Sequence, residues 1–269
     1  MMMRIKYPFL NAYSPADDEQ ALKLKKQLEY GMYNDFFGSD NYYNYLNHGY
    51  YPPYKNLFNY HKIFKHQASL YLHLFDDIDT KNKSLLEVGC GRGGGINLLS
   101  KMFDFKNIEA CDLSEANINH CQKYADGIKF KISNAENLDY EHNQFDIVLN
   151  VESSHCYNYL DPFYSKVQKI LKSGGVFLYH DIFEATDIPY VEQRLSLYFK
   201  NVKKEDITNN VIQACEHDIE HFDKVLTHTK GEIVPGNRKE YFITLAEEKF
   251  KLYKDEKIDI VKYVCSQEE

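Results

Sequence analysis

The sequence has no apolar run of about 18 residues, so it predicts no membrane-spanning helix. Its six cysteines form no CxxC pair and no zinc-ligand spacing, which argues against a disulfide framework and predicts no metal site. No basic cluster is present, and the net charge of −8 argues against a nucleic acid as the main partner. The stretch from Met1 to Lys6 lacks the apolar core of a signal peptide, so we expect a cytoplasmic protein.

The first 55 of the 269 residues form a zone of their own. Ser14 and Pro15 suit the start of a helix over about 17–30, because serine caps and proline fits a first turn. A stretch rich in aromatic residues follows, interrupted by Asn, Gly and Pro. Two interpretations stay open: aromatic core packing, or a lid that covers bound ligands and excludes water.

From residue 56 onward the pattern is that of an α/β domain. A helical period covers 56–77, and strand-like runs then alternate with helices, which indicates a mostly parallel sheet with helices on both faces. Ligands of such sheets bind at the carboxyl ends of the strands. We therefore predict one domain over 56–269, with a helical insertion at about 207–249. The predicted strands are 84–89, 107–112, 128–132, 145–151, 175–181 and a last one near 251–264; the helices are 94–103, 114–124, 161–172, 209–229 and 238–249.

The turn after the first strand spells GxGxxG with Gly89, Gly91 and Gly94. By itself this pattern fits a dinucleotide site, a methyl-donor site or a tight turn. Glu87 favours the second, because a carboxylate there would repel a pyrophosphate at the helix N-terminus and suits a cofactor with an ammonium and a sulfonium. Asp112, which ends the next strand, is placed to accept hydrogen bonds from ribose hydroxyls of either cofactor.

Three further segments follow in order: 134–138 (NAENL), 145–148 (FDIV) and 171–175 (LKSGG). Together with the turn they resemble the class I S-adenosylmethionine-dependent methyltransferases over about residues 56–181. The resemblance implies a Rossmann-like fold, with an N-terminal lid and a C-terminal helical insertion around the acceptor. It also implies S-adenosyl-L-methionine as the cofactor.

The resemblance assigns several cofactor contacts. Residues 134–136 would flank the adenine, with Asn134 where the family usually has Asp, and residues 150–151 would pass the methionine end. In the segment 47–51 an aromatic ring would contact the cofactor, and Tyr50 is the candidate. The complete predicted cofactor-binding set is Tyr50, Glu87, Gly89, Cys90, Gly91, Gly93, Asp112, Leu113, Asn134, Ala135, Glu136, Asn150 and Val151.

The acceptor chemistry is predicted from the ends of the fourth and fifth strands. His155 is the candidate general base, because imidazole titrates near neutrality, and Asp181 would orient it or bind the acceptor. Residues 152–155 (ESSH) resemble O-methyltransferases acting on sugars, macrolides and phenolic lipids. His180 should point away from Asp181, since side chains alternate along a strand, and we interpret it as structural. Glu152 is expected to fix the loop or contact the cofactor.

The leading hypothesis is O-methylation of a small, apolar or aromatic metabolite that carries a hydroxyl. Methylation of nitrogen, as in phosphoethanolamine-type acceptors, or of carbon, as in tocopherol-type acceptors, is the main alternative. An NAD-dependent oxidoreductase and a cofactor-binding protein without catalysis are the other two. The sequence leaves a homodimer open.

Overall fold

The structure is a computed structural model, and it describes residues 44–57, 64–228, 247, 250, 251, 253 and 258–267. The predicted helix over 17–30, the predicted helix over 238–249 apart from residue 247, most of the aromatic-rich stretch that precedes residue 55, and residues 58–63 lie outside the described residues. The predicted domain boundary at 55 and the insertion at 207–249 therefore stay predictions.

A seven-stranded sheet in the order β3-β2-β1-β4-β5-β7-β6 forms the frame. The strands β1 to β5 run parallel, and β7 runs antiparallel to both β5 and β6. The strands are β1 (Ser84–Val88), β2 (Asn107–Asp112), β3 (Lys129–Ile132), β4 (Phe145–Val151), β5 (Leu171–Glu184), β6 (Asn201–Asp206) and β7 (Ile258–Ser266).

Helices cover both faces of this sheet. They are α1 (Lys65–Leu74), α2 (Gly94–Met102), α3 (Glu115–Tyr124), α4 (Leu160–Ile170), α5 (Ile188–Tyr198) and α6 (Thr208–His228), with short 3₁₀ turns at Ala135–Asn137, Ser154–Cys156 and Ala185–Asp187. None of the helices in the described ranges is long and apolar enough to cross a membrane.

The two faces carry separate apolar cores. Side chains of α1, α2, α3 and α6 pack on one face with Leu178 and Ile182 of β5. On the other face, α4 and α5 pack against Phe177, Tyr179 and Phe183, which alternate with the first set along the same strand. A strand covered on both sides needs apolar residues at successive positions, as β5 has.

The predicted strands and helices of residues 84–181 are confirmed within a few residues, except that β5 is longer at both ends. Gly174 has φ +69°, the left-handed conformation expected of a stop after α4. The prediction for residues 182–207 was incomplete, because it omitted α5 and β6. β6 has four charged residues in six and a mostly exposed surface, so it carries no alternating apolar signal.

Candidate functional site

The glycine turn lies between β1 and α2, at the carboxyl edge of the sheet. Gly89, Gly91 and Gly93 all have φ between +53° and +78°, which a side chain would strain. A Cβ on Gly89 would also lie 2.2 Å from the Ser153 hydroxyl oxygen, which follows β4. The turn is thus packed tightly against the loop that follows β4.

The Asp112 carboxylate holds this turn from the end of β2. Its Oδ2 accepts from the Gly91 N–H at 2.8 Å, and its Oδ1 accepts from the Ser114 N–H at 2.8 Å and from Asn117 Nδ2 at 3.2 Å. Burial raises the pKa of Asp112, against the effect of these donors. The structure therefore places Asp112 beside the turn, where the sequence predicts a ribose contact.

Glu87 lies beneath the turn with a completely buried side chain. Tyr71 OH donates to its Oε1 at 2.9 Å, and Oε2 has no hydrogen-bond partner among the described residues. Burial raises the pKa of Glu87 to about 8, so a large share of these carboxyls keep their proton at neutral pH. Glu87 is therefore a buried support of the turn, and burial disfavours the charge that was predicted to face the cofactor.

Replacing Tyr71 with phenylalanine should lower the free energy of unfolding by about 1–3 kcal/mol, because it removes the one side-chain donor to a buried carboxyl group. Urea denaturation measures the change. Tyr263→Phe is the matched control, since the Tyr263 hydroxyl is buried and makes no hydrogen bond within the described part of the chain. Equal losses in both variants would contradict the role given to Tyr71.

Asn150 joins the turn to the loop after β4. Its fully buried Nδ2 donates to Val88 O at 2.8 Å and to Ser153 Oγ at 2.7 Å, and lies 2.9 Å from Tyr157 OH. Its Oδ1 has no hydrogen-bond partner among the described residues. Two buried side-chain oxygens without hydrogen-bond partners among the described residues, Glu87 Oε2 and Asn150 Oδ1, thus lie on neighbouring strands near the turn. A cationic group bound beside them would be stabilised by the Asn150 oxygen and by the ionised form of Glu87.

The predicted adenine segment makes local contacts in the structure. Asn134 Oδ1 accepts from the Glu136 N–H at 3.1 Å and caps the 3₁₀ turn. The Glu136 carboxylate accepts from the Tyr159 N–H at 2.8 Å and from Asn158 Nδ2 at 3.3 Å. The segment is therefore fixed to the loop before α4, and its contact with adenine stays a prediction.

His155 and Asp181 are brought together as predicted from the ends of β4 and β5. His155 Nδ1 lies 2.8 Å from Asp181 Oδ1, and Oδ2 of the same carboxylate accepts from the His155 N–H at 3.1 Å and from the Ser154 hydroxyl. Asp181 is fully buried, whereas the His155 side chain is 24% exposed. One imidazole edge is thus bound to a buried carboxylate, while part of the ring reaches the surface of the site.

In the His155–Asp181 pair, each residue stabilises the charged form of the other. Burial opposes the imidazolium, but the contacts with Cys156 and with the Asp181 carboxylate raise the pKa of His155 well above its ordinary value. Burial alone would raise the pKa of Asp181, but the contacts with His155 and Ser154 lower it. The Asp181 carboxylate therefore favours the imidazolium form of His155 over the neutral ring.

A second cluster of titratable side chains, formed by His48, Glu152 and His180, lies on the opposite face of β5. The sequence did not predict this cluster. The Glu152 carboxylate contacts His48 Nδ1 through Oε2, and its Oε1 lies 3.3 Å from His180 Nε2. His180 points away from Asp181, as predicted, and its Nδ1 lies 3.0 Å from Val261 O. His48 is 104 residues from Glu152, so no local pattern could pair them.

Tyr50 lies elsewhere. Its ring stacks on His73 with centroids 4.0 Å apart, and its N–H donates to His66 O at 2.8 Å. The contact predicted between this ring and the cofactor is not supported by this placement. Leu46, just before the segment 47–51, faces the turn, with Cδ1 3.1 Å from where a Cβ on Gly91 would be.

Residues 86–179 match the model of a family described as a methyltransferase domain. The match spans the turn, the Asp112 and Asn150 strand ends and most of β5. Together with the strand order, it confirms the resemblance drawn from the sequence and the Rossmann-like class I methyltransferase fold.

Two curated relatives and one solved structure are similar to this chain. The fatty-acid O-methyltransferase of Mycolicibacterium smegmatis is 33% identical over 165 residues, 60% of each chain. The probable phthiotriol/phenolphthiotriol dimycocerosates methyltransferase 2 of Mycobacterium ulcerans is 38% identical over 151 residues, 55% of this chain and 58% of the relative. The match thus spans about three fifths of the length of these relatives.

The solved structure is phosphoethanolamine N-methyltransferase 2 of Haemonchus contortus, in complex with phosphomonomethylethanolamine and S-adenosylhomocysteine. It superposes with a TM-score of 0.65 at 15% identity, over 91% of this chain and 58% of that one. At this identity the likeness shows the fold alone.

Proposed function

We propose that the protein is an S-adenosylmethionine-dependent methyltransferase that methylates an oxygen of a small, lipid-like molecule. The observation that carries the proposal is the His155–Asp181 pair, held at the ends of β4 and β5 within the methyltransferase domain. Both curated relatives are named for methyl transfer to lipids, which supports an apolar acceptor.

S-adenosyl-L-methionine supplies an electrophilic methyl group on a sulfonium. The chain's own groups for holding it are the turn at Gly89–Gly93, the Asp112 carboxylate at the ribose, and the unpaired oxygens of Glu87 and Asn150 near the positive end. A bound cation favours the ionised form of Glu87, so cofactor binding should release a proton from this site.

For a hydroxyl acceptor, His155 acts as the general base. Asp181 fixes the ring through Nδ1 and stabilises the imidazolium that forms when the hydroxyl proton moves to Nε2. The burial of Asp181 keeps water from competing for that contact. This role requires His155 without its second proton, a form that the raised pKa shifts to higher pH.

A carboxylate acceptor is a second candidate, and the same raised pKa favours it. A fatty acid is ionised at neutral pH and needs no base, so an imidazolium at His155 would bind and orient its carboxylate. One of the relatives is named a fatty-acid O-methyltransferase. The two candidates assign opposite protonation states to one residue.

The pH dependence of kcat/KM should separate them, measured with labelled donor between about pH 6 and 10. With a hydroxyl acceptor, kcat/KM should rise as the pH passes upward through the raised pKa of His155, because the base is released. With a carboxylate acceptor it should fall over the same range, because the binding cation is lost. A profile that His155→Gln leaves unchanged would contradict both roles.

A panel of labelled-donor assays tests the activity itself, with medium-chain fatty acids, long-chain alcohols and phenolic lipids as acceptors. Transfer to at least one oxygen acceptor is expected. Label found only on amine or carbon acceptors would overturn O-methylation in favour of the alternative chemistry, and tight binding of NAD instead of S-adenosylhomocysteine would overturn the methyltransferase assignment.

A further inference from the structure

Residues 44–51, which we call the strap, cross the glycine turn. At the start of the strap, the Gly94 N–H donates to Asn44 O at 3.1 Å, and Asn44 Oδ1 lies 2.8 Å from His120 Nε2. Leu46 then lies over Gly91. The strap therefore covers part of the surface that the cofactor must reach.

The far end of the strap is bound to the helical layer. The Tyr51 N–H donates to Asn210 O at 3.2 Å, and Asn210 Nδ2 donates back to Tyr51 O at 2.7 Å. Gly49 has φ +87°, and a Cβ there would lie 2.7 Å from the His66 Cβ. These contacts fix the ends of the strap to α2, α3 and α6, but none of them touches the loop that carries His155.

The middle of the strap contacts the loop that carries His155 at one carboxylate, that of Glu152. Both the backbone N–H and the Nδ1 of His48 contact the Glu152 carboxylate, the former at 3.0 Å. His48 and Glu152 are each only 9% exposed. Burial alone would raise the pKa of Glu152, but the contacts with His48 and His180 lower it well below its ordinary value, so the carboxylate is ionised.

The chain also turns at Glu152, the first residue after β4. It has φ +44°, a left-handed conformation that a residue with a side chain keeps only when its surroundings fix it. Its N–H donates to His180 O at 2.8 Å. The next residues are Ser153, which packs on Gly89, and then the Ser154–His155 pair that binds Asp181.

We infer that Glu152 is a positioning residue that fastens the strap over the cofactor turn through His48 and, by the same contacts, holds the loop that presents His155. Closing the strap and aligning His155 are then one event, because one carboxylate carries both contacts. The inference rests on the proposed function only for the identity of the ligands; the fastening itself is a property of the free protein.

Hydrogen exchange of the ligand-free protein tests the fastening, with Glu152→Gln and His48→Gln as variants. Each keeps a side chain of similar size but removes the charged contact. The backbone amides of residues 48–50 should exchange about tenfold faster or more, while the amides of β1 and β4 stay within twofold of the parent. The double variant should add little to either single one, since each single variant already removes the charged contact between His48 Nδ1 and Glu152.

S-adenosylhomocysteine provides the second measurement. Its dissociation should be about five- to tenfold faster from both variants, with thermal midpoints close to that of Asp139→Asn, a control at a 93% exposed side chain. Unchanged exchange at residues 48–50 in both variants would overturn the inference. So would equal acceleration throughout the sheet, which would mean general destabilisation.

The two proposals fail separately. A protein that shows the exchange pattern but methylates no oxygen acceptor would refute the proposed function and leave the fastening standing. A methyltransferase whose His48 amide exchanges equally in parent and variants would do the opposite.

Discussion

Replacing His155 with alanine should lower turnover about 10²- to 10⁴-fold on a hydroxyl acceptor, the usual contribution of a positioned general base. The imidazole is the partner of a fully buried carboxylate, and it is the member of the pair that reaches the surface of the site. Affinity for S-adenosylhomocysteine should stay within about twofold of the parent, because the turn and Asp112 are untouched. Initial rates with labelled donor and calorimetric titration of the product measure the two quantities.

The control is His142→Ala, which removes an exposed histidine in the turn before β4 and should leave both quantities unchanged. If the acceptor is a carboxylate, His155→Ala should instead raise KM more than it lowers kcat, since binding rather than proton transfer is lost. Equal turnover of His155→Ala and His142→Ala on every oxygen acceptor would remove His155 from the chemistry.

Asp181→Asn removes the negative charge of the His155–Asp181 pair but keeps a side chain of nearly the same size and shape. An amide can still accept from the Ser154 hydroxyl and the His155 N–H, but it no longer stabilises an imidazolium. We expect turnover on a hydroxyl acceptor to fall as in His155→Ala, and the pKa of His155 to move down toward its ordinary value. Histidine NMR titration follows that pKa directly, and an unchanged value would contradict the role given to Asp181.

The sequence predicted the central part of the fold because its signals are local. The strands β1 and β4 are apolar runs, and turns or caps mark the ends of the neighbouring elements, as where Ser114 accepts from the Asn117 N–H to begin α3. β6 was missed because its stability comes from pairing with β7, more than 50 residues away, and not from its own apolar residues. Long-range pairing leaves no period in the sequence of the strand itself.

The candidate site divides in the same way. His155 and Asp181 could be paired from the sequence because β4 and β5 are parallel neighbours, and the last residue of β4, Val151, pairs with His180 next to Asp181. The His48–Glu152 contact could not, because His48 belongs to a segment without regular structure, whose path depends on Gly49 and on three separate helices. Tyr50 shows the same limit, since an aromatic residue in a loop gives no direction for its ring.

Asp112→Ala should weaken binding of S-adenosylhomocysteine about 10- to 100-fold, which corresponds to about 1.5–3 kcal/mol for hydrogen bonds to a charged group. The carboxylate supplies acceptors both for the Gly91 N–H of the turn and for the start of α3, and ribose hydroxyls are predicted to share it. Asp126→Ala, at an exposed position after α3, is the control and should bind like the parent. Calorimetric titration gives the affinities.

A ligand without ribose hydroxyls distinguishes a direct ribose contact from a loosened turn. The parent should bind the 2′,3′-dideoxy analogue of S-adenosylhomocysteine more weakly than the natural product, and Asp112→Ala should bind the two almost equally, because the partner of the hydroxyls is gone. If the variant still discriminates between the two ligands as strongly as the parent does, Asp112 acts only by holding Gly91 and the N-terminus of α3. The ribose must then be bound by another group at this edge of the sheet.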